Sequence, residues 1–154
     1  MKTIFEMMIG VKVPCDYAWD DEGIVRIGVG RNIAAYAGGD FKGKCVIFLH
    51  GNGETAVSEK YLFDQLNARG GSVVSPDYRS YGLTSGTFSE RGCFEVAHAA
   101  YDWLLNEKGA IPADIIPLAQ SSPFHMASGC LRGLRRRKRN SCVSSMASTT
   151  TSSS

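Results

Sequence analysis

A chain of 154 residues is expected to form one domain, and its 44% hydrophobic content suffices for a packed core. No apolar run approaches the roughly 18 residues that a membrane-spanning helix needs. The net charge of +2 conceals an asymmetry: all 15 acidic residues lie at or before Asp114, so residues 1–114 carry −4 and the last forty carry +6.

The five cysteines, at positions 15, 45, 93, 130 and 142, form neither a CxxC pair nor a zinc spacing. Cys45 and Cys93 lie on apolar faces and read as small core residues. An odd, unpaired set fits a reducing, cytoplasmic setting. The apolar run after Met1 is short and broken by Glu6, unlike a signal peptide. His50, His98 and His125 are too dispersed to build a metal site, so neither a metal nor another cofactor is expected.

Residues 3–13, rich in Ile, Met and Val, read as a strand ended by Pro14. Residues 16–23 form a polar turn region in which Tyr17 and Trp19 can cover an apolar surface. Residues 24–29 alternate as a second strand. Gly28-Val29-Gly30 lacks the third glycine of a dinucleotide turn and reads as a hairpin bend. Residues 33–36 suggest another strand, and Gly38-Gly39-Asp40 a turn.

Cys45–Leu49 has no polar face, as in a parallel strand buried on both sides. It stops at His50-Gly51-Asn52-Gly53, where two glycines permit a sharp turn with N–H groups pointing into open space. Residues 56–68 read as a helix with Val57, Tyr61, Leu62 and Leu66 on one stripe, stopped by Gly70-Gly71. Residues 72–77 form the next strand, and 77–82 a loop. Ser89 is the expected N-cap of a helix over 89–107 that aligns Phe94, Ala97, Ala100, Tyr101 and Leu104. Residues 114–119 are a third central strand, in which Pro117 requires an outward-facing nitrogen or a bulge. Strands alternating with helices predict an α/β fold with a mostly parallel sheet.

Two blocks at this spacing, Phe48-Leu49-His50-Gly51-Asn52-Gly53 and Pro76-Asp77-Tyr78-Arg79-Ser80-Tyr81-Gly82, resemble the α/β-hydrolase serine hydrolases with an HGN-type oxyanion turn and a DYRGYG-type loop. The resemblance covers residues 42–122 and implies a partial α/β-hydrolase fold. It implies hydrolysis of a carboxylic ester, thioester or amide, with a small acyl substrate as partner. Ser121, in Ala119-Gln120-Ser121-Ser122-Pro123, stands where the family carries its nucleophile elbow. His50, Gly51, Asn52 and Gly53 correspond to the oxyanion turn, with Asn52 and Ser122 as the backbone donors. Asp77, Tyr78, Arg79, Tyr81 and Gly82 correspond to the family loop. The sequence departs from the pattern in lacking both elbow glycines and in placing Ser80 where glycine is usual.

A serine nucleophile needs a base and a group that orients the base. After Ser121 there is no Asp or Glu, and the only histidine is His125, too close in sequence to match the family's position. The chain therefore reads as a hydrolase N-terminal part over 1–122 joined to a basic, Ser/Thr-rich tail over 123–154, as a frameshift or misplaced gene boundary would produce. The tail composition predicts disorder. Catalysis is expected to be incomplete, the alternative being a non-catalytic binding protein derived from a hydrolase. The five consecutive cations Arg135, Arg136, Arg137, Lys138 and Arg139 have no interleaved aromatic residue, so nucleic-acid binding through them is not expected.

Overall fold

The computed structural model describes residues 13–120 and 132–140. The strand expected over 3–13 lies outside the described residues except for Val13, which bridges Tyr81. The elements are β1 (Ile24–Ile27), β2 (Ile33–Gly38), β3 (Cys45–Leu49), α1 (Lys60–Ala68), β4 (Ser72–Pro76), α2 (Glu90–Asn106) and β5 (Ile115–Ala119). Residues 132–140 form a further helix, α3.

One five-stranded sheet has the order β1-β2-β4-β3-β5. β1 and β2 are an antiparallel hairpin joined through the turn Val29–Arg31, and β2 runs antiparallel to β4. β3 lies parallel to both β4 and β5. The expected α/β architecture is therefore present, with an antiparallel hairpin on one side of a parallel core.

Each face of the sheet has its own apolar core. On one, α2 packs Cys93, Val96, Ala97, Ala100 and Leu104 against Ile47, Val74 and Ile115. Ser89 caps this helix as expected, its Oγ accepting the Gly92 N–H at 3.0 Å. On the other face, Phe63 of α1 stacks on Tyr36 at 5.5 Å and meets Phe48 edge-on at 5.2 Å.

The phase of α1 differs from the sequence expectation. Tyr61 is 80% exposed and Leu62 is 49% exposed, whereas Phe63 is buried. Residues 56–59 are turns, so the helix begins at Lys60 rather than near 56. The Ala56 N–H donates to Asp77 Oδ1, and Thr55 N–H donates to Ser58 Oγ. These bonds hold the chain in a turn until Lys60, and the later start rotates Phe63 onto the sheet.

β5 is an edge of the sheet among the described residues. Gln120 N–H donates to Leu49 O, so residues of even number direct their backbone groups toward β3. Pro117 consequently faces away from the ladder, where its missing N–H costs no hydrogen bond. On that outer side, Lys138 Nζ donates to Ile115 O at 3.0 Å.

Lys138 belongs to α3, part of a segment expected to be disordered. The helix forms because its inward residues find partners that the tail's composition does not reveal. Leu134 is 1% exposed and joins the α2-side core. Arg137 donates to Asp102 and to His98 Nδ1 and lies over the Tyr101 ring. The other parts of the expected tail, 121–131 and 141–154, lie outside the described residues. Leu134→Ala is expected to destabilise the protein by about 2–5 kcal/mol in urea unfolding, as for other buried leucines. A change under about 0.5 kcal/mol, typical of surface sites, would mean that α3 does not share the core.

Candidate active site

The chain leaves β3 through α1 to reach β4 on one side, then returns through α2 to reach β5 on the other. β3 and β5 are adjacent, so their carboxyl ends border the point where the winding reverses. In open α/β sheets a crevice forms there, and ligands bind in it. His50-Gly51-Asn52-Gly53 emerges from β3 into this crevice and Gln120 from β5.

The turn is built on a buried carboxylate. Asp77 is fully buried at the end of β4. Its Oδ1 accepts the Ala56 N–H at 2.7 Å, and its Oδ2 accepts the Tyr17 hydroxyl. His50 Nε2 lies 2.9 Å from Asp77 Oδ1 without the alignment of a hydrogen bond. The other ring nitrogen, Nδ1, is 3.0 Å from Gly51 O. Tyr78 adds a hydroxyl bond to His50 O at 2.9 Å. His50 is thus tied at Nδ1 and at its carbonyl, with Nε2 packed against Asp77, which holds the turn in one shape.

Glu54 supplies a second tie that the sequence reading missed. Its Oε2 accepts the Gly51 N–H at 2.8 Å, and its Oε1 accepts the Gln120 side-chain amide at 3.0 Å. One carboxylate therefore joins the ends of β3 and β5 across the crevice. The signal was the spacing: an acid three residues after a turn N–H can reach back to it, as in a capping box. The exposed Asn52 follows Gly51, and its side-chain Oδ1 accepts the Tyr81 hydroxyl at 3.0 Å. Its backbone N–H has no acceptor among the described residues.

The loop after β4 closes around Asp77. Gly82 has φ +47°, and a Cβ there would meet Asp77 Oδ2 and the Tyr17 hydroxyl at less than van der Waals distance. Ser80 has φ +74° without being glycine, so it occupies the left-handed region at a cost of about 1–2 kcal/mol. Tyr81 is buried against His50 and Phe88, and burial, with smaller contributions from Cys93 and Asp77, pushes its hydroxyl pKa up to about 12. Arg79 turns away from the crevice, donating to Ser85 O and pairing with Glu95.

The structure therefore gathers His50, Gly51, Asn52, Gly53, Asp77, Tyr78, Tyr81 and Gly82 at one end of the sheet and directs Arg79 elsewhere. Ser121 and Ser122, expected beside them, lie outside the described residues. His98 sits apart, on α2, where it accepts from Arg137; burial, then the Arg137 charge, lowers its pKa. A groove of about 670 Å³ runs between Asn32 and α2, away from the crevice. Its acids Glu95, Asp102 and Glu107 are already paired with Arg79, Arg137 and Arg31. Among the described residues no group of three or more His, Cys, Asp or Glu is placed to hold a metal ion, and no helix is long and apolar enough to cross a membrane.

This fold has relatives among known proteins. A lysophosphatidylserine lipase of Macaca fascicularis is 30% identical over 122 residues, a match covering 69% of this chain and 31% of the lipase. A putative alpha/beta hydrolase of Acanthamoeba polyphaga mimivirus is 34% identical over 83 residues, covering 53% of this chain and 32% of the viral protein. The crystal structure of an alpha-beta hydrolase from Vibrio vulnificus superposes with a TM-score of 0.52 at 25% identity, over 66% of this chain and 37% of that one. No protein-family model matches. The chain belongs to the α/β-hydrolase superfamily. It spans about a third of the length of these two curated relatives.

Tyr17 provides a pH test of the buried network. Burial, then the charge of Asp77 and its hydrogen bond, raise the Tyr17 pKa well above the ordinary 10.0. At alkaline pH the unfolded chain releases this proton while the folded chain keeps it, so stability falls as pH rises above 10.0. Tyr17→Phe is expected to lose about 2 kcal/mol near neutral pH, because Asp77 Oδ2 loses its donor. Its stability should then decline less steeply than the parent's above pH 10.0. Parallel alkaline branches in urea unfolding would contradict the Tyr17–Asp77 contact.

Proposed function

We propose that the crevice between β3 and β5 is the acyl-handling end of a serine hydrolase acting on a small carboxylic ester, thioester or amide. Ser121 is the nucleophile of this reading, and the backbone N–H groups of Asn52 and Ser122 are the oxyanion donors. The observation that carries it is the Asn52 N–H. It has no acceptor among the described residues, follows a Gly51 N–H held by Glu54, and stands at the carboxyl end of β3. Fixed N–H groups of this kind stabilise the negative oxygen that forms when a hydroxyl adds to a carbonyl carbon. Gln120, hydrogen-bonded to Leu49 O and Glu54, brings the chain to the crevice one residue before Ser121. The relatives described as hydrolases and a lysophosphatidylserine lipase support the same class.

In this reading Ser121 Oγ attacks the acyl carbon, its proton passes to a base, and the carbonyl oxygen becomes the oxyanion. The described histidines do not serve as that base. His50 faces Asp77 and Gly51 O, and His98 is held by Arg137. With no base among the described residues, this reading expects slow hydrolysis, since members of a triad act as a unit. The surviving capacity is recognition of an acyl oxygen, which is also what a non-catalytic binding protein derived from a hydrolase would retain.

Two measurements on the purified chain test this reading. With a p-nitrophenyl ester, the parent and Ser121→Ala should both hydrolyse near the background rate. A rate well above background that Ser121→Ala abolishes would show that His125 or another group completes the triad. Titration with a short alkyl boronic acid should shift the Asn52 amide resonance, and Ser121→Ala should remove the shift. An Asn52 resonance that does not move, or moves equally in Ser121→Ala, would overturn the assignment of this turn to the nucleophile.

A further inference from the structure

The outward face of α3 carries charge that nothing in the described protein uses. Arg132, Arg135, Arg136 and Arg139 are spaced i, i+3, i+4 and i+7, which places them on one side of a helix. All four are exposed. The opposite side is fixed by Leu134 in the core, Arg137 on Asp102 and His98, and Lys138 on the Ile115 carbonyl. The stripe is therefore held pointing outward.

None of these four arginines has an acidic or aromatic partner among the described residues. Several other arginines of the chain do have such partners. Arg31 pairs with Glu107, Arg79 and Arg91 share Glu95, and Arg26 covers the Trp19 ring at 3.6 Å. Seven residues of helix span about 10 Å, comparable with the screening length of about 8 Å at physiological salt. The four charges thus act together as one positive field. Planar guanidinium groups match phosphate oxygens in geometry as well as in charge.

We propose that the arginine stripe of α3 docks this domain on an anionic, phosphate-bearing bilayer surface. Two observations favour a bilayer over nucleic acid. Residues 132–140 contain no aromatic side chain on which a base could stack. The first 114 residues carry −4, so a polyanion gripped from several sides would meet repulsion, whereas a flat bilayer meets only the stripe. Arginine, rather than lysine, at all four positions suits bidentate contact with headgroup phosphates.

The test is co-sedimentation of the full chain with vesicles of phosphatidylcholine alone and with vesicles that also contain phosphatidylserine. Binding is expected only to the anionic vesicles, with loss at high salt. Each arginine near an anionic surface contributes about fivefold to partitioning. Arg136→Gln should therefore weaken binding about fivefold, and the variant with all four changed to Gln should lose several-hundred-fold, on the order of the same per-residue effect compounded. Circular dichroism should show all variants folded, because the four side chains are exposed. Arg91→Gln, an exposed arginine on α2, should bind as the parent does. The proposal fails if the chain ignores anionic vesicles, if neutral vesicles bind it equally, or if Arg91→Gln weakens binding as much as Arg136→Gln. It also fails if a DNA duplex binds more tightly than the anionic vesicles at the same salt.

Discussion

The arrangement of this domain depends on one buried carboxylate. Removing Asp77 from water would cost several kcal/mol without compensation. The chain offsets that cost with donors from two separate segments, the Tyr17 hydroxyl and the Ala56 N–H, and packs the His50 ring against the same carboxylate. Each contact also places the segment that makes it. The loop before β1 is drawn onto the end of β4, the turn after β3 is held against it, and the approach to α1 is kept in a turn. Gly82 follows from the same constraint, since its position leaves no room for a side chain beside Asp77 Oδ2. A polar group that is buried and fully partnered rigidifies what surrounds it, and here it surrounds the crevice.

Glu54 extends this frame across the sheet. Asp77 fixes the turn against β4, and Glu54 fixes it against the end of β5. Between these two ties stands the Asn52 N–H, which has no acceptor among the described residues. Ser80, in its left-handed conformation, lies next to Tyr81, which bonds Asn52. The loop of residues 77–82 therefore influences the crevice through contacts on the far side of the turn.

The central strands were legible in the sequence as short, mostly apolar runs, with β3 stopped by His50-Gly51 and β4 by Pro76. Cys45–Leu49 was recovered with its bounds, and α2 was recovered with its Ser89 cap. Other features depended on distant partners. The phase of α1 was misread because the Ala56 N–H is committed to Asp77, which lies 21 residues away in sequence. α3 looked like a solvated basic tail because composition cannot show that Leu134, Arg137 and Lys138 would meet a core, an acid and a strand carbonyl. Of the candidate site, the His50 turn and the loop from Asp77 were readable as motifs. Glu54's bond back to the Gly51 N–H was signalled by its spacing, but its reach to Gln120 was not, because that residue lies across the sheet. Pro117, which looked awkward in a central strand, is accommodated because β5 turns its nitrogen away from β3.

Native-state hydrogen exchange on Asp77→Asn tests the central claim most directly. If the Asp77 carboxylate organises the crevice, the amides of Gly51 and Ala56 should exchange faster in the variant than in the parent. Those of Val73 and Val74 in β4 and Ala97 and Ala100 in α2 should keep their relative protection. Unchanged exchange at Gly51 and Ala56, or a uniform loss across all six, would contradict a local organising role for Asp77.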